Sequence, residues 1–228
     1  MIRAAIPAVI RAQRGLEKLS FKSYLSIVPE TRSRTVELTD PRALRAVAHP
    51  IRLELLGLLR RSGPLTATEA AARIGESPAS CSFHLRQLAK YGLVEEAGGG
   101  RGRQRPWRAT APLTTWSATS DDDDRREATA MLSRVVVERY FEQAIEWLGR
   151  RRSEPHEWAE VSDIGDRVLY VTPEELRELD EQITELLDGF LERLEDPAKR
   201  PPGARAVNLI QLVLPLPEEP LPDRLAEE

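Results

Sequence analysis

Ala79-Ser-Cys-Ser-Phe-His-Leu-Arg-Gln-Leu-Ala-Lys-Tyr-Gly-Leu-Val-Glu-Glu96, followed by Ala97-Gly-Gly-Gly-Arg-Gly-Arg-Gln-Arg-Pro-Trp107, decides how this chain is read. At about 100° per residue, Cys81, Leu85 and Leu88 share one face of a helix, with His84 at its margin. Ala79, Phe83, Arg86 and Lys90 fall on the opposite face, flanked by Ser80, Ser82 and Gln87. Gly92, just after Tyr91, is placed for a left-handed exit from that helix. Residues 93–97 then read as a strand, residues 98–102 as a turn and residues 104–109 as a returning strand. Pro106 has no N–H to donate, which suits the edge of a hairpin.

Working upstream, Ser77-Pro78 supplies a capping hydroxyl and a proline at the first helical position. Thr66 with Glu69 is a capping box opening a short helix over 67–74 that Gly75 ends. Two short helices joined by Gly75-Glu76-Ser77 make a helix-turn-helix. Asp40-Pro41 starts an earlier helix in which Leu44 and Val47 face inward. A further helix runs from about residue 50 to residue 61, with Ile51, Leu55 and Leu58 on its apolar face.

Downstream, the four aspartates 121–124 close a linker, and a long helix follows over about 125–151. Its apolar positions include Met131, Leu132, Val135, Phe141, Ile145 and Leu148. A short helical turn is expected from Pro155 to Trp158, and a strand over 167–171. Thr172 and Glu175 form a second capping box opening a helix to about residue 194, with Leu176, Leu179, Ile183, Leu186 and Phe190 at three- and four-residue spacing. Residues 206–214 read as an apolar strand. The expected fold is mainly α with small β: a winged helix-turn-helix domain plus an α+β C-terminal domain. The boundaries read from the sequence are a poorly ordered basic arm (1–34), the winged domain (35–113), a linker (114–124), a dimerisation or effector domain (125–214) and an acidic proline-rich tail (215–228).

The net charge of −4 over 228 residues conceals a division. Residues 1–34 carry seven Lys/Arg against two acids, residues 35–112 twelve against seven, and residues 113–228 fourteen against twenty-eight. A basic front and an acidic back imply that only the front meets a polyanion. The single cysteine, Cys81, excludes an internal disulfide and a multi-cysteine metal cage, and fits a reducing, cytoplasmic setting. No apolar run approaches the ~18 residues that a bilayer demands, and charges at Arg11, Arg14, Glu17 and Lys18 interrupt any secretory core.

The polar face of the 79–91 helix has the chemistry to read base edges. Arginine matches guanine O6 and N7, and glutamine matches adenine N6 and N7, which points to Arg86 and Gln87. Phe83 has two readings: contact with thymine methyls or the sugar backbone, or sideways packing on the wing or another helix. Arg101, Arg103, Arg105 and Arg108 crowd the hairpin, where they suit phosphates or a minor groove; the alternative is a solvated basic loop. The expected DNA-binding set is Ser77, Ala79, Ser80, Ser82, Phe83, Arg86, Gln87, Lys90, Arg101, Arg103 and Arg105. Trp107 reads as the anchor of the wing to the domain.

From about residue 40 to residue 116 the chain resembles the ArsR-type winged-helix regulators of bacteria. The likeness is carried by Leu44-Arg-Ala-Val-Ala-His-Pro-Ile-Arg-Leu-Glu-Leu-Leu56, by Thr68-Glu-Ala-Ala-Ala-Arg-Ile-Gly75, and by Ser82-Phe-His-Leu-Arg-Gln-Leu88 with Tyr91-Gly-Leu-Val94. The resemblance implies a DNA-binding dimer that represses a nearby promoter. The family's metal sensors carry cysteines in the helix before the recognition helix; here residues 68–74 have none. No metal or other cofactor is expected, and Cys81, His49 and His84 read as structural. The back half resembles the C-terminal extension of an actinobacterial subgroup of ArsR-like regulators, through Trp147-Leu-Gly-Arg-Arg-Arg152, Tyr170-Val-Thr-Pro-Glu-Glu-Leu176 and Arg200-Pro-Pro-Gly-Ala204.

Two amphipathic helices on a small sheet would dimerise, hold an apolar small-molecule effector, or both. Trp147, Trp158 and Tyr170 then line a pocket or fill a core. No phosphate loop, nucleophile elbow or metal-ligand spacing is present, so an enzyme is not expected. The competing function is a protein-interaction module that reuses a winged helix without binding DNA.

Overall fold

The structure, a computed structural model, describes residues 35–99, 105–117 and 119–217. Strand β1 (Thr35–Glu37) leads into helices α1 (Pro41–Val47), α2 (Pro50–Ser62), α3 (Ala67–Ile74) and α4 (Pro78–Lys90). Strands β2 (Val94–Glu96), β3 (Trp107–Ala109) and β4 (Leu113–Thr115) follow, then helices α5 (Asp123–Arg150), α6 (His156–Glu160) and α7 (Pro173–Glu195). The chain is mainly α with small β and carries a winged helix-turn-helix, as its sequence predicts.

The local chemistry of the helix ends explains most boundaries. The Asp40 carboxylate accepts from the Arg42 N–H at 2.8 Å, ahead of Pro41. Thr66 Oγ1 accepts from the Glu69 N–H at 3.2 Å while Glu69 reaches back to the Thr66 N–H at 2.8 Å, closing the expected capping box. Gly75 ends α3 at φ 74°, a left-handed conformation that a side chain would strain. Gly92 does the same after α4 at φ 71°, and the Leu93 N–H turns back to the Leu88 carbonyl at 3.1 Å.

The core sits among α1 to α4. Leu44, Leu55, Leu85 and Leu88 are fully buried, and Cys81 with them. The wing is a short antiparallel ladder with Val94 opposite Ala109, Glu95 opposite Arg108 and Glu96 opposite Trp107. Leu65 bridges Trp107 on its other edge, through two backbone hydrogen bonds of 3.0 and 2.8 Å. Trp107 thus anchors the wing to the domain, as expected. The Pro106 carbonyl accepts from the Ala97 N–H at 2.8 Å, so its missing donor costs the ladder nothing.

Two features differ from the sequence reading around the 114–124 segment. β4 occupies its start and pairs in parallel with β1, Thr35 opposite Leu113 and Glu37 opposite Thr115. Such a pairing joins residues far apart in the chain and leaves no local periodic signal. The long helix also begins earlier, at Asp123, where Asp122 caps the Asp124 N–H at 2.9 Å. Its first half is part of the winged domain's core: Ala128, Leu132 and Val136 are buried there, whereas Met131, Phe141, Ile145 and Leu148 are exposed.

Several polar ties fix this helix. Arg45 of α1 forks onto both Asp124 carboxylate oxygens, the Trp116 indole donates to Ser133 Oγ at 3.2 Å, and Thr129 Oγ1 donates to the Ser117 carbonyl at 3.4 Å. Arg60 of α2 donates to the Ala111 carbonyl at 3.1 Å and to Thr114 Oγ1 at 2.6 Å. Burial lowers that guanidinium's pKa to about 10; the two oxygens are its compensation.

The back half departs from expectation in its strands. Neither 167–171 nor 206–214 forms a strand; both lack regular secondary structure and are exposed but for half-buried Ile210. Among the described residues neither has a neighbouring strand to accept a ladder, and an apolar run becomes a stable strand only when it is paired. The expected small sheet of that half is therefore not formed within one chain. Helix α7 is capped by Thr172 and Glu175 as expected, yet none of its residues is buried. Tyr170 is wholly exposed, while Trp158 is half-buried beneath the Arg205 guanidinium, 4.9 Å from its ring centre. None of the three aromatics 147, 158 and 170 belongs to the buried core of the described residues.

Candidate nucleic-acid interface

Helix α4 turns an apolar face inward and a polar face outward. Cys81, His84, Leu85 and Leu88 are buried against α2 and α3, and Ser77, Ala79, Phe83, Arg86 and Lys90 are exposed. Ser80, Ser82 and Gln87 are half-buried on the flanks. All eight helix residues singled out from sequence are therefore brought to one accessible surface. Ser77 Oγ accepts from the Ser80 N–H at 3.1 Å and the Ser77 carbonyl from the Cys81 N–H at 3.0 Å. Pro78 has no N–H to offer, so of the first turn only the Ala79 N–H faces outward at the positive end of the helix dipole.

Phe83 is 50% exposed. Its one aromatic contact among the described residues is an edge on His84, with ring centres 5.2 Å apart. A phenyl ring held at this depth, in line with Arg86 and Lys90, forms an apolar step in an otherwise polar ridge.

The wing strands carry their own ion pairs. Arg105 binds both Glu96 oxygens, at 3.0 and 2.7 Å, and Arg108 lies 2.7 Å from Glu95. The Arg105 side chain remains 68% exposed, so it is reachable, but a phosphate would compete with Glu96 for it. Arg101 and Arg103 lie outside the described residues.

The sequence did not reveal that His49 and His84 meet. His49 precedes α2 and His84 lies on α4, and their rings sit 4.6 Å apart. Nδ1 of each is buried without a hydrogen-bond partner, as is Nε of Arg52. Burial pushes the His49 pKa down and the Arg52 charge adds to it. For His84, burial leads, followed by His49 and Arg52; Glu76 opposes the shift at both rings. Burial also pushes the Cys81 thiol up, with Glu76 and Glu54 adding to the effect, so it is a poor nucleophile. Among the described residues no group of three or more His, Cys, Asp or Glu side chains could hold a metal ion. No described helix is long and apolar enough to cross a membrane.

Residues 47–97 match the profile of a helix-turn-helix domain. No curated protein matches the chain. Similar solved structures include wild-type MarR of E. coli in its apo form, at 12% identity over 75% of this chain and 99% of that one, with a TM-score of 0.26. A MarR family protein of Mycobacterium tuberculosis in complex with salicylic acid is 16% identical over 75% of this chain and 98% of that one, with a TM-score of 0.25. At these scores the matched segment, rather than the whole-chain likeness, bears on the site. Residues 47–97 span the end of α1 through β2, so the chain carries a helix-turn-helix whose second helix faces solvent beside a hairpin wing.

Proposed function

We infer that this chain is a sequence-specific DNA-binding transcription regulator of the ArsR-like kind, acting as a homodimeric repressor in the cytoplasm. The observation that supports it most is α4 itself. Its inward face is sealed by Cys81, Leu85 and Leu88, and its outward face presents Arg86, Gln87 and Lys90, with a hairpin wing following the helix in the chain. An α-helix of these dimensions fits the major groove.

In this reading Arg86 and Gln87 contact base edges, and Ala79 and Phe83 meet thymine methyls or sugars. Ser77, Ser80, Ser82 and Lys90 hold phosphates. Arg101, Arg103 and Arg105 of the wing add phosphate or minor-groove contacts. The back half, from α5 onward, sets dimer geometry and admits a small-molecule effector; the protein is not an enzyme. Two winged domains about a two-fold axis bind a near-palindrome with half-sites about 10 bp apart or a multiple of that.

The test is a gel-shift titration of the protein against its own upstream region over a range of salt. Binding whose logarithm falls linearly with log salt supports the reading. Absence of binding to any genomic fragment at low salt overturns it in favour of a protein-interaction module.

A further inference from the structure

The C-terminal half of α5 carries an apolar stripe interrupted by acid. Glu138, Phe141, Glu142, Ile145 and Glu146 line one shallow groove. They recur at three- and four-residue steps and so share a helix face. Phe141 is 60% exposed and Ile145 68%. Among the described residues no cation pairs with Glu138, Glu142 or Glu146. The stripe on α7 is different: Leu179, Ile183, Leu186 and Phe190 run together, with most carboxylates on the far side of that helix.

What covers the α5 stripe must therefore interleave apolar groups with cations. A second copy presenting the same stripe would set carboxylate against carboxylate. Residues 1–34 have the matching chemistry. They carry seven Lys/Arg against two acids, with Arg11, Arg14, Lys18 and Lys22 at three- and four-residue spacing among Ile6, Val9, Ile10, Leu16 and Leu19. They also have the reach. Their last residue adjoins β1, which pairs with β4 shortly before α5 begins. The stripe starts about 22 Å along α5, and 34 residues span up to ~110 Å extended or about 50 Å if helical.

We propose that the acidic, apolar face of α5 around Phe141 and Ile145 is the docking surface for the chain's own basic N-terminal segment, residues 1–34. Lysine and arginine of the segment pair with Glu138, Glu142 and Glu146, and its aliphatic residues cover Phe141 and Ile145. Docked, the segment neutralises part of the acidic back half and its charge is withheld from polyanions; released, it adds to the basic front.

Zero-length carbodiimide crosslinking of the full chain, read by peptide mapping, tests this. The expected products join Lys18 or Lys22 to Glu138, Glu142 or Glu146 within one chain, and high salt abolishes them. Mixing isotope-labelled with unlabelled protein separates links within a chain from links between chains. Links mainly between chains overturn the proposal, and so does their absence. In a second measurement, tryptic cleavage after Arg11, Arg14, Lys18 and Lys22 should run about fivefold faster in a Glu138→Gln, Glu142→Gln, Glu146→Gln variant than in the parent. Equal cleavage rates overturn it.

Discussion

Arg86 and Lys90 share a helix face with Phe83, but they answer to different chemistry. A bidentate arginine on a guanine is worth about 1–3 kcal/mol of discrimination. Arg86→Ala is thus expected to relax preference at one operator position while leaving the salt slope close to that of the parent. Binding measured across a set of single-base operator variants checks this; a uniform loss across all of them would reassign Arg86 to phosphate.

The His49–His84 pair makes a second residue-scale prediction. Both imidazoles titrate below their ordinary value in the folded protein, first because they are buried and then because cationic neighbours oppose their charge. The unfolded chain takes up the same protons at about pH 6.5. Below that value protons favour unfolding. The pair's contribution to stability is complete above about pH 6.5 and is lost as pH falls through the lower folded values. Melting temperatures from neutral to acid pH should therefore fall less steeply for His84→Gln than for the parent. An identical slope would place the acid sensitivity elsewhere.

At the scale of elements, α5 belongs to the winged domain for its first half. Leu132 is fully buried in the same core as Leu85 and Leu88, although it lies well beyond the matched residues 47–97. Leu132→Ala should cost about 2–5 kcal/mol, and chemical denaturation followed by the helical signal measures it. A cost below about 1 kcal/mol would show that the winged domain is stable without the helix.

The capped helices and their inward faces were legible because caps and three-four spacing are local chemistry. Thr66 with Glu69, Ser77 with Pro78, and Gly92 each announce a boundary within four residues. The outward set on α4 was legible for the same reason. The β1–β4 pair was not, since a three-residue parallel ladder owes its existence to a partner far along the chain. The same limit hid the role of Leu132 and Val136, because an apolar stripe does not say which neighbour it will meet. It also hid the meeting of His49 and His84. The apolar runs at 167–171 and 206–214 read as strands by composition, but composition alone supplies no ladder.

At the scale of the whole molecule, two halves of opposite charge also differ in how completely they bury their apolar groups. The winged domain buries its leucines, while the back half exposes Leu186 at 73% and Phe190 at 59% along the uninterrupted stripe of α7. An exposed seam of this kind marks an interaction surface. If α7 pairs across a two-fold axis, a Leu186→Ser, Phe190→Ser variant is monomeric. Sedimentation should then give half the parent mass, and operator affinity should fall by at least about tenfold, the equivalent of about 1.4 kcal/mol. A parent that is itself monomeric at all concentrations would remove the basis for a two-fold operator.

The forked contact of Arg45 with Asp124 and the burial of Leu132 clamp one end of a 28-residue helix to the part that would sit on DNA. The other end projects about 15 Å past Tyr140, the last of its residues packed on that core, at about 1.5 Å per residue. Such a rod is a lever with a fixed fulcrum. A sideways push of about 3 Å at its free tip tilts it by roughly 10° over that length. In a paired assembly that small rotation alters the separation of two reading heads that must match a fixed groove spacing. A signal acting on the far end would then loosen DNA without touching any residue that meets it.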